Sequence, residues 1–184
     1  MSPKVLLITP PFTQLNTPYP ATAYLKGFLN IKSIPAYQCD LGIETILALF
    51  SSEGLKSLFQ EIEIKKPEFS ANGQRIFNLR ESYIQTIDQV IAFLQGKNVV
   101  LAHVICEGSF LPEASRFAHT DDLEWAFGTM GTHDKAKHLA TLYLEDLSDL
   151  IVEAVDPHLG FSRYAERLGR SANSFDELYI AMQQ

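Results

Sequence analysis

Two adjacent prolines constrain the amino terminus more than any other feature. Val5, Leu6, Leu7 and Ile8 form an unbroken apolar run, and Pro10 and Pro11 follow directly after Thr9. The run is too short for a helix, and β-branched residues without polar alternation suit a strand buried on both faces, as in a parallel sheet. Neither proline has an N–H to donate, and each drives its predecessor out of the helical region, so the strand must stop at Thr9. From there to about Thr22 the chain reads as an irregular, proline-rich loop. Its aromatics Phe12 and Tyr19 and its carboxamides Gln14 and Asn16 equip it to line a pocket. Ala23, Tyr24, Gly27, Phe28 and Ile31 then recur at helical spacing, with Thr22 as N-cap and Ser33-Ile34-Pro35 as the stop. A second strand, residues 36–40, ends on Asp40. Strand, helix and strand in this span make one right-handed parallel β-α-β unit. Ligands of open α/β sheets sit beyond the carboxyl ends of the strands, which places the loop from Pro10 to Pro20 and the turn Asp40-Leu41-Gly42 at one crevice.

From Gly42 onward the pattern is helical. Ile43, Ile46, Leu47, Leu49 and Phe50 form one amphipathic segment, and Leu55, Leu58, Phe59 and Ile62 continue it after Gly54 until Lys65-Lys66-Pro67 interrupts. Residues 67–74 read as a mobile surface loop. Tyr83, Ile84, Ile87, Val90, Ile91 and Leu94 mark a strong helix ended by Gly96. Residues 99–105 are ambiguous, because β-branched residues favour a strand while Asn98 would cap a helix equally well. His103 within them reads as a half-buried histidine rather than a ligand. Asp121 and Glu124 open a helix bearing Trp125 and Phe127, both expected in the core, and Gly128 to Gly131 reads as a plain turn. The longest helical stripe is Leu139, Leu142, Tyr143, Leu147, Leu150, Ile151 and Ala154. Glu145, Asp146, Asp149 and Glu153 lie largely off it and are expected to form an acidic face in solvent. Asp156-Pro157-His158-Leu159-Gly160 is a helix stop, Phe161, Tyr164, Ala165 and Leu168 form a short helix, and Ser174 with Glu177 is a capping box for the last one.

The composition fits one compact soluble domain: 184 residues, 46% hydrophobic and 20% charged, are enough to bury a core. A net charge of −7 argues against nucleic acid, which is bound through basic surfaces. No apolar run reaches the length of a membrane span and no signal pattern opens the chain, so the expected compartment is the cytoplasm and no membrane partner is expected. Cys39 and Cys106 are the only cysteines, too few for a disulfide framework. His133 and His138 are five apart and share no helical face, and Asp134 with His138 reads as an ion pair rather than as metal ligands. Glycine-rich phosphate loops and a nucleophile elbow are both missing. Asp40 ends its strand as a ribose-binding acid would, but a prolyl loop stands where the phosphate cradle belongs.

Strand-Pro10-Pro11-Phe12, then Asn16-x-Pro18-Tyr19-Pro20, Ala23-Tyr24-Leu25 and Cys39-Asp40-Leu41-Gly42-Ile43-Glu44, resembles the N-terminal cobalamin-binding region of cobalamin-dependent radical S-adenosylmethionine proteins. The stretch 139–147 resembles the helical part that follows in some members, and the resemblance also favours a helix at 99–105. It implies a Rossmann-like sheet with a corrin lying across the strand ends, held here by Pro10, Pro11, Phe12, Asn16, Pro18, Tyr19, Pro20, Asp40 and Gly42. S-adenosylmethionine and the iron–sulfur cluster would belong to a separate downstream domain, because the two cysteines cannot form the Cys-x-x-x-Cys-x-x-Cys cluster site. No histidine stands in an Asp-x-His-x-x-Gly motif after the first strand, so no protein ligand to cobalt is expected.

The fold expected is therefore α/β: a small parallel β-α-β, partial Rossmann-like unit over residues 1–41, then a mainly α-helical region over 42–184 packed with it. The function expected is a cofactor-positioning module, itself without catalytic residues, of a radical S-adenosylmethionine enzyme. Its partner would be the downstream domain or a second copy, since two parallel strands leave open edges. With so few strands to wall the pocket, residues 1–184 alone should bind cobalamin weakly. The alternative is a helical interaction module anchored by an α/β remnant and needing no cofactor.

Overall fold

A computed structural model describes residues 4–10, 19–118, 131–161, 174–181 and 183. The chain divides into two compact units, residues 1–47 with 158–184, and residues 48–157. The first contains a two-stranded parallel sheet, β1 (Val5–Thr9) and β2 (Ala36–Asp40), joined through α1 (Pro20–Ile31). The pairing runs from Val5 opposite Ala36 to Thr9 opposite Asp40. The expected β-α-β order and the helical remainder are both present, in a chain that is mostly helical.

Two features of this unit depart from the sequence reading, and a third goes beyond it. First, β1 is not buried on both faces: burial alternates, leaving Leu6 58% and Ile8 47% exposed. Helix α1 packs against both strands, and among the described residues no helix covers the face carrying Leu6, Ile8 and Tyr37, which are all exposed. Second, α1 starts at Pro20 with Tyr19 as N-cap, three residues before the expected first turn. Proline at the first helical position loses no intrahelical bond and already holds a helical φ. Third, the apolar stripe of α1, whose surroundings helical spacing alone did not fix, is exposed, and α1 has no buried residue. Its half-buried positions are Thr22, Lys26 and Leu29, on the opposite side. Helix α2 (Leu41–Leu49) follows β2 without a loop, and α8 (Phe175–Ala181) opens with the Glu177 N–H donating to Ser174 Oγ at 3.2 Å, as the capping box requires.

The second unit is helical: α3 (Ser52–Lys65), α4 (Ala71–Asn78), α5 (Arg80–Leu94), α6 (Leu101–Cys106), a 3-10 turn at Ser115–Phe117 and α7 (Thr132–Ala154). Residues 101–106 are thus helix, although Val100 rather than Asn98 precedes the first turn and supplies no side-chain cap. Helix α3 does not begin after Gly54 but at Ser52. Ser51 Oγ accepts the Gly54 N–H at 3.0 Å, and a Cβ on Gly54 would overlap the carbonyl oxygens of Ala48 and Leu49, so only glycine permits this tight turn. Lys66 in the left-handed conformation (φ 48°) ends α3. Residues 71–74, expected in a loop, form the first turn of α4, because Ser70 Oγ accepts the Gly73 N–H at 3.1 Å. The core is assembled from Leu55, Phe59 and Ile62 of α3, Tyr83, Ile87, Val90 and Phe93 of α5, and Tyr143, Leu147 and Leu150 of α7. Each large side chain contributes about 1.5–3 kcal/mol relative to exposure. Trp125, Phe127, the turn 128–130 and the helix expected at 164–168 lie outside the described residues.

Candidate cofactor-binding site

Parallel pairing with Thr9 opposite Asp40 ends both strands side by side. The chain must reverse to join them, so α1 runs back along the sheet and its N-terminus, Tyr19-Pro20, lies at the same carboxyl end. Thr9 is 3% exposed at the base of this edge, and Pro10 follows it in the open. Asp40 Oδ1 accepts the Ile43 N–H at 3.1 Å, so the carboxylate caps α2 rather than standing free as an acid. Gly42 in the first turn of α2 is buried. Tyr19 and Ile43 remain about half exposed and give the edge two apolar surfaces.

The two helices that open here differ in charge. Helix α2 has Asp40 at its cap and Glu44 in its first turn, whereas α1 has no side-chain cap from Tyr19 and no acid in its first turn. Among the described residues, then, neither a side-chain cap from Tyr19 nor a first-turn acid offsets the positive end of α1, whereas α2 carries both kinds of acid. Of the nine residues expected to hold a corrin, Pro10, Tyr19, Pro20, Asp40 and Gly42 meet at this end of the unit. Pro11, Phe12, Asn16 and Pro18 lie outside the described residues. None of the five that meet here is a histidine.

The sequence reading missed a set of polar residues in the helical unit. Of the acidic residues of α7, Glu153 is exposed as expected and Glu145 and Asp149 are half-buried, but Asp146 is not on a solvent face. Asp146 is fully buried, and its two oxygens accept the N–H groups of Ala114 at 3.0 Å and Arg116 at 3.2 Å. Burial raises its carboxyl above the usual range, against the pull of those two amides. Arg116 forks onto Asp149 with two bonds of 2.7 Å and approaches Glu145 at 3.6 Å. The Glu153 carboxylate takes both the N–H and the hydroxyl of Ser70 at the start of α4. Deeper in the core, Tyr143 Oη meets Thr86 Oγ1 at 3.0 Å and donates to the Tyr83 carbonyl at 3.1 Å. Tyr83 Oη is buried without a hydrogen-bond partner, and burial raises its phenol well above the ordinary value. The signal for Asp146 was its heptad spacing from Leu139, which sets it within the apolar stripe, between Leu139 and Leu142 in helical projection.

An open groove of about 580 Å³ in the helical unit is lined by Gln74, Arg75, Asn78, Leu111 and Glu113. His103 is exposed rather than half-buried. Among the described residues no three histidine, cysteine or acidic side chains converge as a metal site, and no helix is long and apolar enough to cross a membrane. No protein-family model, curated protein or solved structure matches the chain.

Proposed function

We propose that the chain is a cobalamin-binding-type module of a radical S-adenosylmethionine enzyme, which positions a corrin for chemistry performed by an iron–sulfur domain elsewhere in the enzyme. The observation that supports this reading best is the pairing of Thr9 with Asp40. It gathers Pro10, Tyr19-Pro20 and the Asp40–Gly42 turn at the carboxyl edge of one parallel pair, where α/β sheets receive their ligands. In this reading the corrin, when bound, supplies the methyl-transfer or radical chemistry. The protein's part is to present a flat apolar ledge, to donate amides from the start of α1 and to exclude water from one face of the ring. Asp40 acts as a positioning residue, fixing the turn after β2 so that the buried Gly42 backbone stays close beneath the edge.

The test is retention of hydroxocobalamin through desalting, read by visible absorbance. A polypeptide continuing beyond Gln184 into a three-cysteine domain is expected to retain it clearly, and residues 1–184 alone only weakly. Asn16→Ala and Tyr19→Ala should each lower retention by the longer polypeptide. If that polypeptide holds no corrin, or if both substitutions leave retention unchanged, the reading is wrong. The uncovered Leu6, Ile8 and Tyr37 favour a second reading, an interaction module without cofactor. A reading frame that closes at Gln184 and a chain that binds no corrin at any length would support it.

A further inference from the structure

Helix α1 is amphipathic in the wrong sense for its own sheet. Projected at helical spacing, Pro20, Ala23, Tyr24, Gly27, Phe28 and Ile31 form one continuous stripe with no charged or hydrogen-bonding head group except the tyrosine hydroxyl. Tyr24 is 78%, Phe28 57% and Ile31 81% exposed. The half-buried positions, Thr22, Lys26 and Leu29, lie on the other side, so the stripe points away from β1 and β2. Five of its residues line an apolar groove of about 480 Å³. We propose that this stripe is a homodimer interface, in which α1 of one copy packs antiparallel on α1 of a second copy about a two-fold axis near Gly27. The inference does not rest on cobalamin binding.

Shape supports a second copy as the occupant. Ala23 and Gly27, four apart, form a shallow furrow, and Tyr24 and Phe28, also four apart, form the ridge beside it. One helix thus presents both halves of a ridge-into-groove contact, which is what an isologous interface needs. A Cβ at Gly27 would meet nothing within 4 Å, so its missing side chain is not demanded by the copy's own packing. In a dimer it would let the two backbones approach.

Area supports it as well. At roughly 200 Å² per large side chain, the exposed fractions of Tyr24, Phe28 and Ile31 leave about 430 Å² uncovered. Pro20, Ala23 and Gly27 bring the patch to about 500 Å², and protein interfaces are only about 57% apolar. If this patch were the apolar share of an interface of average composition, the buried area would be about 900 Å² per copy, against the ~800 Å² per partner of stable complexes. A basic membrane-surface helix is the weaker fit, because Lys26 and Lys32 are the only charges from residue 20 to 32 and Lys32 already lies over the Phe28 ring at 5.8 Å.

The net charge of −7 makes two copies repel at long range while the contact itself is uncharged. Added salt should therefore tighten the dimer, the opposite of a contact held by ion pairs. Sedimentation velocity of the full chain over the micromolar range is expected to show a monomer–dimer equilibrium. Gly27→Leu, which blocks close approach but improves helix propensity, and Ile31→Lys should each weaken it ~10-fold or more. Ile64→Lys, at an exposed apolar site in the other unit, should leave it unchanged. Circular dichroism of each variant confirms that the helices persist. A chain that stays monomeric at the highest concentration overturns the proposal. So does a dimer indifferent to Gly27→Leu and Ile31→Lys, one broken instead by Leu6→Lys with Tyr37→Lys on the open sheet face, or a stripe that carries the chain onto phospholipid vesicles.

Discussion

Removing the Asp146 carboxylate should unlatch the segment before α7. Its two oxygens hold the Ala114 and Arg116 amides at 3.0 and 3.2 Å. Ala114 is 3% exposed, so in Asp146→Ala its N–H finds no water and costs about 2 kcal/mol. Arg116 is exposed, and its N–H is rehydrated at a cost of about 0.5–1 kcal/mol. The cavity left by the carboxyl adds to the loss, while relief from burying a charge subtracts a comparable amount, leaving about 2–3 kcal/mol net. For the second unit, residues 48–157, the unfolding entropy is about 230 cal/mol/K. The melting temperature of that transition should fall by about 10 °C.

The burial-raised carboxyl gives a pH signature. The native state keeps its proton where the unfolded chain has lost it. Wild-type stability therefore declines as pH rises from the ordinary carboxylate range to the raised native value, and is fully present below both. Asp146→Asn and Asp146→Ala lose that slope. Asn retains one acceptor but turns an amide donor toward the other N–H, so its melting point should fall between wild type and Ala. The assays are thermal melts followed by circular dichroism across pH, with hydrogen exchange at Ala114 and Arg116. An Asp146→Ala melt within ~2 °C of wild type, or unchanged exchange at both amides, refutes the latch.

Three further substitutions test the packing of the same unit. Tyr143→Phe breaks the bonds to Thr86 and the Tyr83 carbonyl and should cost about 1–2 kcal/mol, whereas Tyr83→Phe removes a buried hydroxyl with no partner and should be neutral or stabilising. Urea titration of the two variants decides it, and an equal loss in both would contradict the hydrogen-bond assignment. Gly54→Ala drives a methyl into the carbonyls of Ala48 and Leu49, and the chain should be destabilised by about 1–3 kcal/mol rather than gain from better helix propensity. A rise in its melting temperature would mean that the α2–α3 turn can open without cost.

Local chemistry was legible wherever a single residue decides the backbone. Pro10-Pro11 ended β1 at Thr9, Lys66-Pro67 ended α3, Gly96 with φ 74° closed α5, and Ser174 with Glu177 opened α8. Each is an effect of a missing N–H, a missing Cβ or a side chain reaching three residues along its own chain. Where periodicity and propensity conflicted, as at residues 99–105, the sequence left helix and strand open. Among the candidate site residues, chain order alone was enough to bring Asp40, Gly42 and Tyr19-Pro20 to one edge, because parallel strands joined by one helix admit no other end for that helix.

What a side chain faces was decided only by the tertiary structure. The stripe of α1 and the acids of α7 follow the same helical arithmetic, yet the stripe is exposed and Asp146, expected in solvent, is buried. Periodicity identifies which residues share a face but not what that face meets. The stripe of Tyr24, Phe28 and Ile31 lies on the side of α1 away from the two strands. The Ser115–Phe117 turn, thirty residues away in sequence, brings two unpaired amides to Asp146 and makes burial of a carboxylate tolerable.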